Sequence, residues 1–285
     1  MPKGKKRLTR SLGGNIAVGM ILVLLGAFMV LPLLYTVVSA FKPFHEIFVF
    51  PPRFFVRNPT LDNFTNLIEL TSNMWVPLIR YIFNSVFISA AATLIHILFA
   101  SAAAYPLAKH TFPGKEKIFT VMVAMLMFSG AVTALPQYII LSGLQLIDSY
   151  MAIIFPAIGS TLGVFLMRQF MVQMIPDSVI EAARIDGASE YRTFFSIIMP
   201  NVKPAWLTLM VFTFQATWAN NGVTFIYSEE LKTLPTALGQ IATAGIARMG
   251  EGMAASLLLI LPPIALFIFS QTKVVETMAF AGVKE

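Results

Sequence analysis

The chain has no cysteine. Disulfides, zinc–thiolate centres and thiol nucleophiles are thereby excluded together, although this alone does not assign a compartment. Charge is scarce as well: 12% of the 285 residues are Asp, Glu, Lys or Arg, against roughly 25% in soluble domains. The three histidines, His45, His96 and His110, are too scattered to suggest a metal site. No G-x-S-x-G, H-E-x-x-H or G-x-x-x-x-G-K-[ST] run occurs; the nearest approach to a phosphate loop, Pro113-Gly114-Lys115-Glu116, lacks the hydroxyl that holds magnesium. No catalytic residue is assigned, and any nucleotide is expected on another polypeptide.

What the chain has instead is apolar surface: 57% hydrophobic residues and a mean hydropathy of +0.76. Several uninterrupted runs approach the ~20 residues that an α-helix needs to cross about 30 Å of hydrocarbon. The expected fold is an all-α membrane protein of six spans, at 15–38, 82–107, 118–140, 150–172, 205–226 and 253–272. Pro136 and Gln137 mark the third as open to early termination, with 137–148 then a short helix outside it. Prolines in or near spans, such as Pro32, Pro106, Pro156, Pro262 and Pro263, are compatible with kinked helices in a bundle, where neighbours satisfy the freed carbonyls. His96 is the ionisable residue inside a span, and a helix–helix hydrogen bond suits it better than a ligand or proton relay.

Fourteen of the twenty Lys and Arg residues fall in the N-terminal arm, the 108–117 turn, the 168–203 segment and the C-terminal tail. The positive-inside rule then puts both termini in the cytoplasm of a multi-pass protein. The net charge of +6 is a topology signal and not a nucleic-acid footprint, since no soluble basic domain carries it. The arm and its following apolar run show no A-x-A-like site, so an uncleaved first span is expected. The division that follows is a basic arm 1–14, a first span 15–38, an external loop 39–81, a core 82–272 with a cytoplasmic loop 173–203, and a tail 273–285.

Within that cytoplasmic loop, Glu181 to Pro200 reads EAARIDGASEYRTFFSIIMP. Ser178 and Glu181 have capping-box spacing, which predicts a helix start at Ser178. Gly187 suits a left-handed closing position and Ser189 can cap a second helix. Tyr191, Phe194, Phe195 and Ile198 would form one apolar stripe ended by Pro200. The expected product is two short helices set at an angle. On these features alone an amphipathic hairpin on the membrane surface is an equal reading.

The run E-A-A-R-I-D-G-A followed by F-x-x-I-x-x-P resembles the EAA loop of permeases of binding-protein-dependent ABC importers. The resemblance extends over nearly the whole chain. Phe41-Lys42-Pro43, Pro51 to Phe55, Pro59 to Phe64, Asn84-Ser85, Ala103 to Lys109, Phe112 to Lys115, Leu144 to Tyr150, Thr233 to Leu238 and the tail Ala281 to Lys284 look like the carbohydrate branch, maltose-type. The tail departs from the family in closing with Glu285. The resemblance implies a type I importer permease in a bacterial cytoplasmic membrane, forming half of a translocation pathway for a di- or oligosaccharide. Its implied partners are a second homologous permease, two ATPase subunits that hold ATP and magnesium, an extracellular solute-binding protein and the lipid bilayer; no cofactor is bound by this chain. The coupling residues it implies are Glu181, Ala182, Ala183, Asp186, Gly187, Tyr191, Phe194 and Pro200.

Gln215, Trp218, Asn220 and Asn221 put amides and an indole into apolar surroundings, a combination that suits a sugar and equally suits helix-to-helix contacts. Between the last two spans, the small residues Ala242, Thr243, Ala244 and Gly245 form a flexible run that, by the resemblance, reaches toward the solute-binding protein; as a bare sequence it is a connector. The 41–80 loop, aromatic and proline-rich with a short helix from Leu61, is large enough for a platform. An ion-coupled secondary transporter is the rival from another class. It would need ionisable groups at the span centres, and His96 stands alone there, without an inverted repeat.

Overall fold

The computed structural model describes residues 12–72, 75–220, 222, 224–243 and 245–282. The arm through residue 11, Asn221, Ala244 and the tail residues 283–285 lie outside the described residues. Among the described residues there is no strand, and the long elements are α-helices. Four helical segments are long and apolar enough to cross a membrane, Gly13–Ala40, Leu78–Lys109, Met151–Met174 and Met249–Gln271, and two sharply bent helix pairs raise the number to as many as six. The chain divides into two compact units, one of residues up to 67 together with 241–257, the other of 68–240 together with 258 onward.

The first unit contains α1 (Leu12–Ala40), α2 (Phe44–Ile47) and the start of α3 (Asp62–Ser72). The apolar side chains of α1 point outward along most of its length, as a lipid-facing helix requires. Its last carbonyls are not left bare. Buried Asn63 donates its amide to the carbonyl oxygens of Ala40 at 2.9 Å and Lys42 at 2.8 Å. Gly250 lies against the same Asn63 amide, where a Cβ would collide with it.

The second unit is organised by α4 (Leu78–Lys109), which packs on α7 (Met151–Ile158), α8 (Thr161–Met174) and α12 (Lys203–Trp218). The buried face of α4 is rich in small residues, Ser85, Ser89, Ala92, Ala100, Ser101 and Ala104. Such a surface lets backbones approach closely where lipid offers no hydrophobic driving force. One apolar core gathers Ile88, Ala92, Ile153, Ile154 and Ile226; a second gathers Ile97, Ala100, Ala104, Met167, Met171, Ile198 and Leu209. His96 lies between these core residues in α4, and its Nδ1 donates to the Ile158 carbonyl at 2.9 Å, which fixes the tautomer. That carbonyl ends α7, just before the chain turns at Gly159 and Ser160 into α8. The histidine is thus the helix–helix hydrogen bond expected of it.

At the N-terminal end of α4, Asn84 donates to the Glu230 and Lys232 carbonyls at 2.8 and 2.9 Å and accepts from the Tyr150 hydroxyl at 2.7 Å. Ser85 accepts from the Leu234 amide at 2.7 Å, and the Tyr81 hydroxyl donates to Glu229 at 2.8 Å. Asp148 accepts from the Tyr227 and Ser228 amides and from the Ser228 hydroxyl; this last contact leads the causes that hold its carboxyl below the usual range. The 225–234 segment is therefore tied to the bundle by side chains at both of its flanks.

The third expected span is interrupted, but not at Pro136. It consists of α5 (Lys115–Met125) and α6 (Gly130–Gly143), bent by 108°, with Pro136 inside α6. The break falls at residues 126–129, where the amides of Leu126, Met127 and Phe128 bond three residues back and Ser129 turns extended. Tightening to i−3 bonds followed by an extended residue is how a helix unwinds. A proline within α6 costs one amide donor and bends the helix without ending it.

Gly163 of α8 faces the His96 ring, with the Ala100 Cβ 3.2 Å from where a Cβ would stand. Gly163→Leu should therefore force the two helices apart, at a cost of about 1–3 kcal/mol for overpacking. The expected result is a lower thermal midpoint in detergent and its partial recovery in Gly163→Leu/His96→Ala; an unchanged midpoint in the single variant refutes the close approach.

Candidate functional site

The loop after α8 begins with α9 (Asp177–Ile185). Its N-cap is Pro176, which has no side-chain cap, so the helix starts one residue before Ser178 and the expected capping box does not form. Proline fixes φ near the value a helix entry needs, which makes a hydroxyl cap unnecessary here. The far end matches the reading of Gly187, whose φ is +72°. The Gly187 amide donates to Arg184 at 3.0 Å and the Ala188 amide to Ala183 at 2.9 Å, the paired bonds of a Schellman closure. A Cβ on Gly187 would meet nothing within 4 Å, so backbone conformation alone demands glycine. Ser189 then caps the next segment, accepting from the Arg192 amide at 3.3 Å.

That segment is α10 (Glu190–Arg192), a π-helical turn Thr193–Ile198 and α11 (Met199–Asn201), bent by 78° from α12. The π-turn removes the expected stripe, because five-residue bonding rotates side chains away from 3.6-residue spacing. Phe194 and Ile198 turn inward, whereas Tyr191 and Phe195 are exposed. Pro200 does not stop the helix; it takes an early position in α11, and the turn comes at Val202.

Both arms of the loop are gripped by the C-terminal end of α4. The Lys109 ammonium, nearly buried, donates to the Ile175 carbonyl at 2.6 Å and to Asp177 at 2.7 Å. The Lys109 contact is the largest cause that holds the Asp177 carboxyl below its ordinary range. On the other arm, Glu190 accepts from the Tyr105 hydroxyl at 2.7 Å and Arg184 at 3.2 Å, and pairs with His110 at 3.3 Å. These contacts, that to Tyr105 foremost, keep Glu190 ionised at lower pH than a free carboxylate. A cavity of about 230 Å³ opens beside them, lined by Leu98, Ala102, Tyr105, Glu190, Tyr191, Phe194 and Phe195. Tyr105, Lys109 and His110 were not legible as one site with Asp177 and Glu190, since the partners lie 66 to 85 residues apart in sequence.

The residues implied by the EAA resemblance divide into two sets. Glu181, Ala182, Asp186, Gly187, Tyr191 and Pro200 lie on the exposed side, while Ala183 and Phe194 are packed inward with Ile180 and Ile198. Ile185, 86% exposed, joins the outward set and was missed. Its signal is an isoleucine off the Ile180–Ala183 face at the polar end of an amphipathic helix.

The other candidate residues are less concentrated. Gln215 is exposed, whereas Trp218 is buried, stacks on Phe214 and donates its indole N–H to the Leu259 carbonyl at 3.0 Å. Asn220 folds its side-chain oxygen onto the Gly222 amide at 2.9 Å. Ala242 ends α13 (Leu234–Ala242), Thr243 follows in a turn, and Gly245 has φ +92°.

Known proteins resemble this chain in sequence and in fold. An arabinooligosaccharides transport system permease protein of Halalkalibacterium halodurans is 30% identical over 90% of this chain and 91% of its own. An sn-glycerol-3-phosphate transport system permease protein of Shigella flexneri serotype 5b is 32% identical over 74% of this chain and 79% of its own. In fold, a chain of a bacterial ABC transporter involved in the import of the acidic polysaccharide alginate superposes with a TM-score of 0.77, covering 93% of this chain and 99% of that one at 19% identity. Residues 97–277, the span that includes the C-terminal part of α4 and both arms it grips, match the family described as binding-protein-dependent transport system inner membrane component. The chain belongs to that family, as a permease subunit of an ABC importer.

Proposed function

We propose that this permease imports a carbohydrate, a di- or oligosaccharide, forming half of the translocation pathway beside a second homologous permease. The carrying observation is the exposed EAA loop held at both arms by α4, together with relatives whose names specify arabinooligosaccharides and a glycerol phosphate. Six spans with both termini in the cytoplasm are part of this reading, supported by the four long helices, the two bent pairs and the distribution of Lys and Arg. The arm 1–14, first span 15–38, external loop 39–81, core 82–272 with coupling loop 173–203 and tail 273–285 are the proposed division. The scarcity of ionisable groups inside the spans and the family membership both weigh against ion-coupled secondary transport.

In this reading, two ATPase subunits hold ATP and magnesium and close on hydrolysable nucleotide. Glu181, Ala182, Asp186, Gly187 and Tyr191 dock in an ATPase cleft, with Pro200 at the margin, while Ala183 and Phe194 fix the loop on the bundle. Motion of the docked loop reaches α4 through Lys109 and Tyr105, and alternating access follows. An extracellular solute-binding protein delivers the sugar, with residues 242–245 as its contact. Gln215 is the better placed of the candidate path residues, because Trp218 and Asn220 have polar atoms engaged within the chain.

Two measurements test this. A cysteine at exposed Ser178 should react with an impermeant maleimide only from the cytoplasm, and one at exposed Thr65 only from outside; reversed labelling refutes the topology. Gly187→Val places a β-branched residue at positive φ, a strain of about 1–3 kcal/mol. It should leave the chain inserted and paired with its partner permease, weaken ATPase association and abolish uptake, with Gly187→Asn recovering much of both. Asp186→Lys should act likewise by reversing a charge on the docking face. Normal ATPase binding and uptake in Gly187→Val and Asp186→Lys overturn the coupling role.

A further inference from the structure

The segment after α1 leaves large aromatic rings uncovered. Phe44, Phe48, Phe50 and Phe55 are all exposed, Phe50 at 92% and Phe55 at 73%. Exposure of this kind in a built loop marks an interaction surface. The loop is built. Buried Glu46 accepts from the Arg57 and Asn58 amides, each at 3.0 Å, and buried Lys42 donates to the Arg53 carbonyl at 2.6 Å. The Thr60 amide returns to the Phe41 carbonyl at 3.0 Å.

Its placement selects the partner. The Phe54 ring lies 5.7 Å from Tyr35, and the Lys42 ammonium lies over the same Tyr35 ring at 4.8 Å. Tyr35 is inside α1, five residues before its end, about 7.5 Å back along the helix at 1.5 Å per residue. The 50–55 stretch therefore folds back along α1 to a depth where the helix is still presenting apolar side chains. Arg53 and Arg57 are exposed on the same loop, so aromatic rings and guanidinium groups occur together. That pairing is what the membrane–water boundary selects, rings among carbonyl and glycerol groups and cations on phosphate. Because Pro51, Pro52 and Pro59 lack amide donors and the side chains of Lys42 and Glu46 satisfy other backbone groups, non-helical chain is tolerated at this level.

We infer that residues 44–57 form an interfacial anchor that seats the end of α1 in the headgroup layer, with Arg53 and Arg57 on lipid phosphate. The bilayer is the occupant because the surface is continuous with the outward apolar face of α1, and the loop carries no acidic side chain on its exposed part between Arg53 and Pro59.

The cysteine-free chain permits a direct test in the assembled transporter, reconstituted in vesicles of phosphatidylethanolamine and phosphatidylglycerol. Spin labels at Phe50→Cys and Phe55→Cys should collide with oxygen in preference to a water-soluble nickel chelate, severalfold more than a label at Thr65→Cys and toward the value at Met29→Cys within α1. Phe50→Trp, which keeps an aromatic ring, should show added emission quenched by lipids brominated near the top of the acyl chain and spared by acrylamide. Nickel access equal to that at Thr65 overturns the anchor in favour of a loop in water. Exclusion of both colliders, with no quenching by brominated lipid, overturns it in favour of coverage by another protein. Sugar uptake enters neither readout, so the result is independent of the transport assignment.

Discussion

Every polar backbone group in a membrane bundle needs a partner within the protein, and the structure of the second unit follows from how its broken helices meet that demand. Helices are interrupted at Ile158, Ile175 and Trp218, and each interruption frees carbonyls or leaves a chain end unsupported. Side chains supply donors at two of these ends, His96 to Ile158 and Lys109 to Ile175, and to further carbonyls, Arg168 to Leu107, Asn84 to Glu230 and Lys232, and Trp218 to Leu259. Three of those donors come from the uninterrupted α4. One uninterrupted helix therefore supplies donors at the ends of two others, and its small-residue face lets them come close.

This arrangement couples position to packing. The loop between α8 and α12 is held where α4 ends, and its outward face is left without protein cover, with Ile185 almost wholly exposed. Ile185 and Tyr191 thus add apolar area to the face proposed to dock in an ATPase cleft. The grip also persists across ordinary pH. Because the folded-state pKa values of Asp177 and Glu190 lie below the usual carboxylate range, their contributions are present above that range and are lost as pH falls through the lowered values. Both carboxylates face solvent on one side, so each contact counts more for placement than for stability.

Much of this was legible in the sequence where local chemistry decides. Gly187 at positive φ and Ser189 as a cap are dictated within a few residues, and long apolar runs fixed four spans closely. The failures are equally physical. Ser178 and Glu181 have capping spacing, yet Pro176 opens the helix earlier; Tyr191, Phe194, Phe195 and Ile198 have helical spacing, yet a π-turn rotates Phe195 away. Pro136 looked like a break and is carried inside α6, whereas the real break at 126–129 has no proline. The clasp of Tyr105, Lys109 and His110 on Glu190 and Asp177 depends on tertiary approach and has no local signature.

The same principle separates the two candidate sugar residues of α12 that the structure describes in full. An indole in lipid-like surroundings must place its N–H, and Trp218 does so on the Leu259 carbonyl, which ties α12 to α14 (Met249–Gly282) within the second unit. A sugar hydroxyl could take that donor only by leaving Leu259 unpaired, a loss of order 1–3 kcal/mol for a buried acceptor. Gln215 lies three residues earlier and is exposed, so its amide is available without such a loss. Aromatic and amide residues a turn apart thus differ in availability: the Trp218 donor is committed to a backbone carbonyl of the bundle, whereas the Gln215 amide stands on an exposed face.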